Sequence, residues 1–173
     1  MIEFGNVLLV LIIAYLMGSI PFGFFVVKLV NGRDVRLVES GRTGGTNAMR
    51  AAGVGAGVLT AVLYVLKGAA TAWVVSWLVP QQPWVQVSAA LFAIIGHNYS
   101  IFLVHRKDGK WALRGGAGGA TALGGAIALW NPIVFIILPV AFLVYLFIGY
   151  ASVTTMSIAL IAMIIFIIRA IMG

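Results

Sequence analysis

Three stretches of the chain, 4–27, 68–105 and 115–168, contain no Asp, Glu, Lys or Arg. A helix needs about 20 consecutive apolar residues to cross the hydrocarbon core of a bilayer, and each stretch is long enough for at least one crossing. Hydrophobic residues make up 62% of the 173, against roughly 45–50% in soluble domains. These runs predict an all-α, polytopic transmembrane helical bundle, a single integral membrane domain over residues 1–173.

Helix-breaking residues divide the runs. Pro80 and Pro83 flank two glutamines, and Trp130-Asn131-Pro132 interrupts the last run, because proline disfavours the helical conformation of the residue before it. A further break is expected around Gly149 to Ser152. The pattern predicts about six helices, between five and seven, near residues 4–30, 52–79, 84–104, 118–130, 132–148 and 151–170. The first lacks the basic n-region and small-residue cleavage site of a signal peptide, so it is expected to be retained.

Composition also excludes chemistry. With no cysteine, neither a disulfide framework nor thiol catalysis is available. Glu3, Asp34, Glu39, Asp108, His97 and His105 are too scattered to suggest metal-ligand spacing. No metal and no cofactor are expected.

Of the 11 Lys and Arg residues, all but Lys67 and Arg169 fall in two patches. Lys28, Arg33, Arg36, Arg42 and Arg50 form the first, and Arg106, Lys107, Lys110 and Arg114 the second. The connections at 80–83 and 130–132 have none. Cytoplasmic loops are enriched in Lys and Arg, so both patches are expected on the cytoplasmic side, with the N-terminus outside. Contact with anionic membrane lipid alone would account for the cations, and no nucleic acid partner is expected. It does not account for the glycines among them.

The first patch contains SGRTGGTNAMR, Ser40 to Arg50, and the second runs into RGGAGGAT, Arg114 to Thr121. Glycine lets several backbone N–H groups converge on an anion, and arginine offers a planar fork matched to phosphate. Two such loops on one membrane face predict a site with room for two phosphate groups. Gly41, Gly44 and Gly45 are assigned to that site. Small residues also let membrane helices approach, and Gly116, Ala120 and Gly124, four apart, and the 53–57 segment are read mainly as packing. A nucleotide P-loop is excluded, because no lysine follows the last glycine of GGAGGAT.

The segments GSIPFG (18–23), DVRLVESGRTGGTNAMRAAG (34–53), LKG (66–68), GH (96–97) and GGAGGATALG (115–124) resemble, in order and spacing, the PlsY-type acyl-phosphate:glycerol-3-phosphate acyltransferases of bacterial membranes. The resemblance implies a multi-pass enzyme of the inner membrane with its active site facing the cytoplasm. It would move a fatty acyl group from acyl phosphate to glycerol 3-phosphate, giving lysophosphatidic acid for phospholipid synthesis. The implied partners are those two small-molecule substrates, membrane lipid, and an enzyme that supplies the acyl phosphate.

An acyl phosphate is a mixed anhydride, so its transfer needs no covalent nucleophile and no metal. It needs two held phosphates and donors for the oxygen that gains charge. Ser40, Arg50 and His97 are the candidate catalytic residues. Gly41, Arg42, Gly44, Gly45, Thr46, Asn47, Arg114, Gly115, Gly116, Gly118 and Thr121 are the candidate substrate-binding residues, with Asn47 read chiefly as a brace for its loop. For His97 a structural and a substrate-contacting role stand side by side; the family's acceptor phosphate has been proposed to serve as base, which would leave His97 to orient. Lys67 either snorkels to the outer headgroups or sits functionally inside the bundle. Arg169 is read as an interfacial anchor.

Several positions depart from the family pattern. Ala117 replaces the second lysine of its glycine-rich motif, Arg42 replaces an asparagine, Tyr64 stands where an acid is common, and the family's H-x-x-N-x-x-R-L segment does not follow the last apolar run. Arg42 and Lys110 are the expected replacements for the lost charge. The rival reading keeps the scaffold as a non-catalytic lipid-phosphate binder or transporter.

Overall fold

The computed structural model describes residues 4–107 and 109–172. Eight α-helices follow in order: α1 (Phe4–Ser19), α2 (Phe22–Asn31), α3 (Gly45–Ala52), α4 (Val54–Leu78), α5 (Pro83–Asn98), α6 (Gly119–Leu129), α7 (Val134–Ile148) and α8 (Ala151–Met172). A two-stranded antiparallel hairpin, β1 (Val104–Lys107) and β2 (Lys110–Leu113), lies between α5 and α6. Five segments are long and apolar enough to span a membrane: Gly5–Asn31, Val54–Leu78, Pro83–Leu103, Asn131–Ile148 and Ala151–Met172. At 11 residues, α6 is only about 16 Å long, roughly half the hydrocarbon thickness.

The six expected apolar segments are present, with two corrections. The helix expected over 4–30 is broken at Ile20 and Pro21, since Pro21 has no N–H to donate and forces its predecessor out of the helical region. The helix expected from 52 begins at Val54, because Gly53 has φ 89° and separates it from α3. Neither α3 nor the hairpin is foreseen by the apolar pattern.

Small residues set the helix contacts. A Cβ on Gly18 would collide with the Ala93 backbone, and one on Gly96 with the Tyr15 carbonyl, so α1 and α5 lie against each other at backbone distance. Gly68 meets Thr121 and Gly124 meets the Val65 carbonyl, which joins α4 to α6 in the same manner. Close backbone approach of this kind substitutes for the hydrophobic drive that lipid removes. The packing reading holds for Gly124, for Gly57, which faces Met49 and Gly45, and for Gly116, though Gly116 is not on a helical face with Gly124. Gly116 precedes α6 and approaches His97.

Three apolar clusters mark the depth of the bundle. Val7, Val10 and Ala14 of α1 pack with Val75, Val79, Val85 and Ala89 at the end that carries the Pro80–Pro83 connection. Val27, Val35, Ala48 and Ala51 support the first basic loop at the other end. Leu123, Ala126, Ile133 and Ile137 join α6 to α7, with α8 packed alongside. The apolar faces of α7 and α8 remain largely exposed, as expected where lipid rather than protein is the neighbour.

Candidate active site

The first basic loop leaves α2 through Gly32, whose φ of 73° ends the helix. Asp34 caps the next turn by accepting from the Arg36 amide at 2.9 Å, and its carboxylate is held by the Arg36 guanidinium through Nε at 3.0 Å and Nη2 at 2.6 Å. This pairing keeps the Asp34 carboxyl below its ordinary range and raises Arg36 further. Gly41 then turns the chain with φ 63°, a conformation open to glycine at little cost.

Asn47 holds the loop from beneath. Its buried Nδ2 lies within hydrogen-bond reach of the carbonyls of Val35 at 2.9 Å, Val38 at 2.9 Å and Arg42 at 2.8 Å, its two protons shared among the three. The amide nitrogen is thus spent on the loop, as the brace reading expects. Its Oδ1 has no partner among the described residues.

The second loop is fastened to the first. The Thr43 amide donates to the Gly115 carbonyl at 3.3 Å. Arg42 Nη1 donates to the Gly116 carbonyl at 2.8 Å, and Arg114 Nη2 donates to the Ser40 carbonyl. The Gly116 amide in turn donates to the His97 carbonyl at 2.9 Å. A Cβ on Gly115 would strike the His97 carbonyl, and one on Gly116 would strike the His97 ring. Glycine at both positions lets the loop lie directly on the end of α5.

Around this junction the structure distributes the expected residues in two ways. Ser40, Arg42, Thr46 and Arg50 are exposed, with Thr46 and Arg50 one turn apart and so on one face of α3. Arg50 makes no side-chain hydrogen bond or ion pair among the described residues, which leaves its guanidinium available. Gly41, Asn47, Gly115, Gly116, Gly118 and Thr121 are buried beneath them. Gly44 and Gly45 open α3, and Gly118, with φ 86°, caps α6, so two helix N-termini meet the loops. Thr121 Oγ1 and Asn98 Oδ1 are buried without a protein partner among the described residues.

The relocated charge is partly where the sequence places it. Arg42 reaches the 115–118 loop and lies beside Ala117 through its bond to Gly116. Lys110 instead stands at the turn end of the hairpin, in register with Lys107, about 13 Å of strand from Arg114. A recess of about 340 Å³ next to the junction is lined by Asp34, Arg36, Leu37, His105, Arg106 and Arg114.

Below the loops lies a buried polar column. Tyr64 Oη accepts from the Gly23 amide at 2.9 Å and lies 3.1 Å from the Thr43 carbonyl. Its ring meets the His97 imidazole edge-on at 4.3 Å. Lys67, 5% exposed, is inside the bundle rather than snorkelling. Its Nζ contacts the Gly18 carbonyl, the Ile20 carbonyl at 2.9 Å and His97 Nδ1 at 3.2 Å. Sequence reasoning misses Tyr64 and Thr43 as site residues. Position 64 stands out only as a departure from the acid common there, and no sequence signal puts Thr43 beneath the loop. Beside Lys67, an apolar cavity of about 220 Å³ is lined by Met17, Ile20, Phe22, Leu63, Leu66 and Ala70.

A family model described as glycerol-3-phosphate acyltransferase matches residues 8–173. The chain is 38% identical over 158 residues to the glycerol-3-phosphate acyltransferase of Geobacillus kaustophilus, an alignment covering 90% of this chain and 74% of that protein. It is 39% identical over 118 residues to the Myxococcus xanthus counterpart, which covers 68% of this chain and 57% of that relative. The crystal structure of PlsY, an integral membrane glycerol 3-phosphate acyltransferase, in its glycerol 3-phosphate form matches with TM-score 0.82 and 33% identity over 95% of this chain and 78% of that one. The lysophosphatidic acid form matches with TM-score 0.75. With a family model spanning almost its whole length and a bundle that follows a solved member, the chain belongs to the glycerol-3-phosphate acyltransferase family.

Proposed function

We propose that the chain transfers a fatty acyl group from an acyl phosphate to the hydroxyl of glycerol 3-phosphate, releasing phosphate and forming lysophosphatidic acid. The observation that carries this reading is the fastening of two glycine- and arginine-bearing loops through Arg42 to Gly116 and Arg114 to Ser40. One anionic headgroup alone would need only one of them. Two phosphates held side by side bring the acceptor hydroxyl to the acyl carbonyl, and that approach is the principal requirement of the reaction.

In this reaction the hydroxyl oxygen forms a bond to the acyl carbon and the bond from that carbon to the phosphate oxygen breaks. The leaving group is already an anion, and the hydroxyl proton passes to a phosphate oxygen. Arg50, exposed and unpaired among the described residues, supplies a fork for one phosphate, and the amides at the starts of α3 and α6 supply converging donors. Ser40 and His97 offer donors toward the carbonyl oxygen as charge builds. The cavity lined by Met17, Phe22, Leu63 and Leu66 accommodates apolar chain beside the headgroup site.

The basic loops meet at one end of the bundle and the Pro80–Pro83 connection lies at the other. The clustering of Lys and Arg at the loop end supports, by the positive-inside rule, a site on the cytoplasmic face of a bacterial inner membrane, within reach of an enzyme that supplies the acyl phosphate. The test is formation of lysophosphatidic acid from palmitoyl phosphate and glycerol 3-phosphate by the purified protein in lipid vesicles. Product formation supports the reading. Substrate crossing sealed vesicles without phosphate release would replace it with a transporter.

A further inference from the structure

We propose that Lys67 is a positioning residue that holds His97 as the neutral imidazole with its proton on Nε2, turned toward the 115–118 loop. Sequence spacing does not suggest the pairing, since the two residues lie 30 positions apart on different helices. It arises from the break between α1 and α2.

That break leaves carbonyls without helical partners. Pro21 has no N–H, and α1 ends at Ser19, so the Gly18 carbonyl faces the bundle interior at the helix end, and the Ile20 carbonyl, which accepts from the Phe22 amide at 3.2 Å, keeps a second lone pair free beside it. Unpaired carbonyls at a helix C-terminus carry the negative end of the helix dipole and attract a cation. Lys67 Nζ meets both of them. It also lies 4.5 Å from the centre of the Tyr64 ring and 6.0 Å from that of Phe22, two further surroundings that favour an ammonium.

An ammonium has three protons and no lone pair. Two go to the carbonyls, and the third faces His97 Nδ1 at 3.2 Å. Nδ1 must then be the acceptor, which puts the proton of a neutral ring on Nε2. The ring cannot turn over freely, because it is 4% exposed and its edge packs on Tyr64. Nε2 lies against Gly116, whose missing side chain leaves room for the ring beneath the 115–118 loop.

The consequence for chemistry is a choice of role. With Nδ1 occupied and Nε2 protonated, His97 has no lone pair with which to take the acceptor's proton. It is a donor, able to hydrogen-bond a phosphate or carbonyl oxygen at the 115–118 loop. Lys67 therefore acts on substrate through His97 while also closing the broken helix.

The test is nitrogen NMR of the protein with 15N-labelled histidine in lipid, with the two histidines distinguished by a His105→Gln variant. Wild-type His97 is expected to show a protonated Nε2 and a bare Nδ1 at neutral pH. Lys67→Met, nearly isosteric but without donors, is expected to shift His97 to a mixture of tautomers. It should also lower kcat about 10- to 100-fold, by analogy with loss of the partner that orients a metal-ligating histidine, with less change in KM for glycerol 3-phosphate. A wild-type His97 protonated on Nδ1 or on both nitrogens overturns the proposal, as does an unchanged tautomer in Lys67→Met. Should that variant not fold, the wild-type spectrum decides alone. The kinetic expectation rests on the acyltransferase reading, whereas the tautomer does not, so the spectrum tests the role of Lys67 even in a protein without acyl transfer.

Discussion

Arg42 Nη1 donates to the Gly116 carbonyl at 2.8 Å, across 74 positions of sequence. This bond joins the loop before α3 to the loop before α6. The bond puts an arginine from the opposite loop next to Ala117.

Arg42→Ala is expected to remove one of the fastenings between the two loops and to lower kcat/KM about 10- to 100-fold, the equivalent of a lost charged hydrogen bond of about 1.5–3 kcal/mol. Arg42→Lys should recover only part of this, because an ammonium cannot hold the carbonyl and face a phosphate with a planar fork. Steady-state kinetics with glycerol 3-phosphate varied would show it, and an Arg42→Ala protein with unaltered kinetics would contradict the joint role.

Gly116→Ala places a methyl group where the His97 ring lies. The loop must then move off α5, at a cost of about 1–3 kcal/mol for overpacking. A lower melting temperature in detergent together with strongly reduced acyl transfer is the expected outcome. Ala117→Gly, at an exposed position, should leave the melting temperature nearly unchanged.

Asn47→Ala removes the donors to Val35, Val38 and Arg42. Leaving buried carbonyls unsatisfied costs about 1–3 kcal/mol, so the loop should become sensitive to limited proteolysis while the spans keep their helix content by circular dichroism. Equal protease resistance in variant and wild type would show that Asn47 does not brace the loop.

The Asp34 carboxyl has its folded pKa below 3.8 because of Arg36. A depressed carboxylate pKa gives stability that is present above the unfolded value and is lost as pH falls through the folded value. Wild type should therefore exceed Asp34→Asn in loop stability at about pH 5–8. The difference should be small, since the pair is partly solvated, and should disappear only below 3.8. Protease protection of the loop across that range measures it.

The spans are legible in the sequence because charge-free length and proline are local signals, and the two loops because glycine and arginine cluster where apolar periodicity stops. The break at Pro21 is harder to see. Its flanks carry no charge, and Ile20 and Phe22 are as apolar as a continuous helix would be, while the Gly18 and Ile20 carbonyls are met by a lysine from a distant helix. Position alone leaves Lys67 open between lipid interface and bundle, since depth along α4 does not say which face a side chain occupies. The hairpin has a sequence signature, Asp108-Gly109 between basic residues, that reads equally as a polar loop. Tyr64 is invisible as a hub because its partners, Gly23 and Thr43, are brought to it by the fold.

The most direct test of the two-phosphate site is phosphate release from palmitoyl phosphate by the purified protein in lipid, with and without glycerol 3-phosphate, beside Arg50→Ala. Release that depends on the acceptor and disappears in Arg50→Ala, with helix content unchanged, is the predicted result. Release that proceeds equally without glycerol 3-phosphate, or that survives in Arg50→Ala, would contradict it.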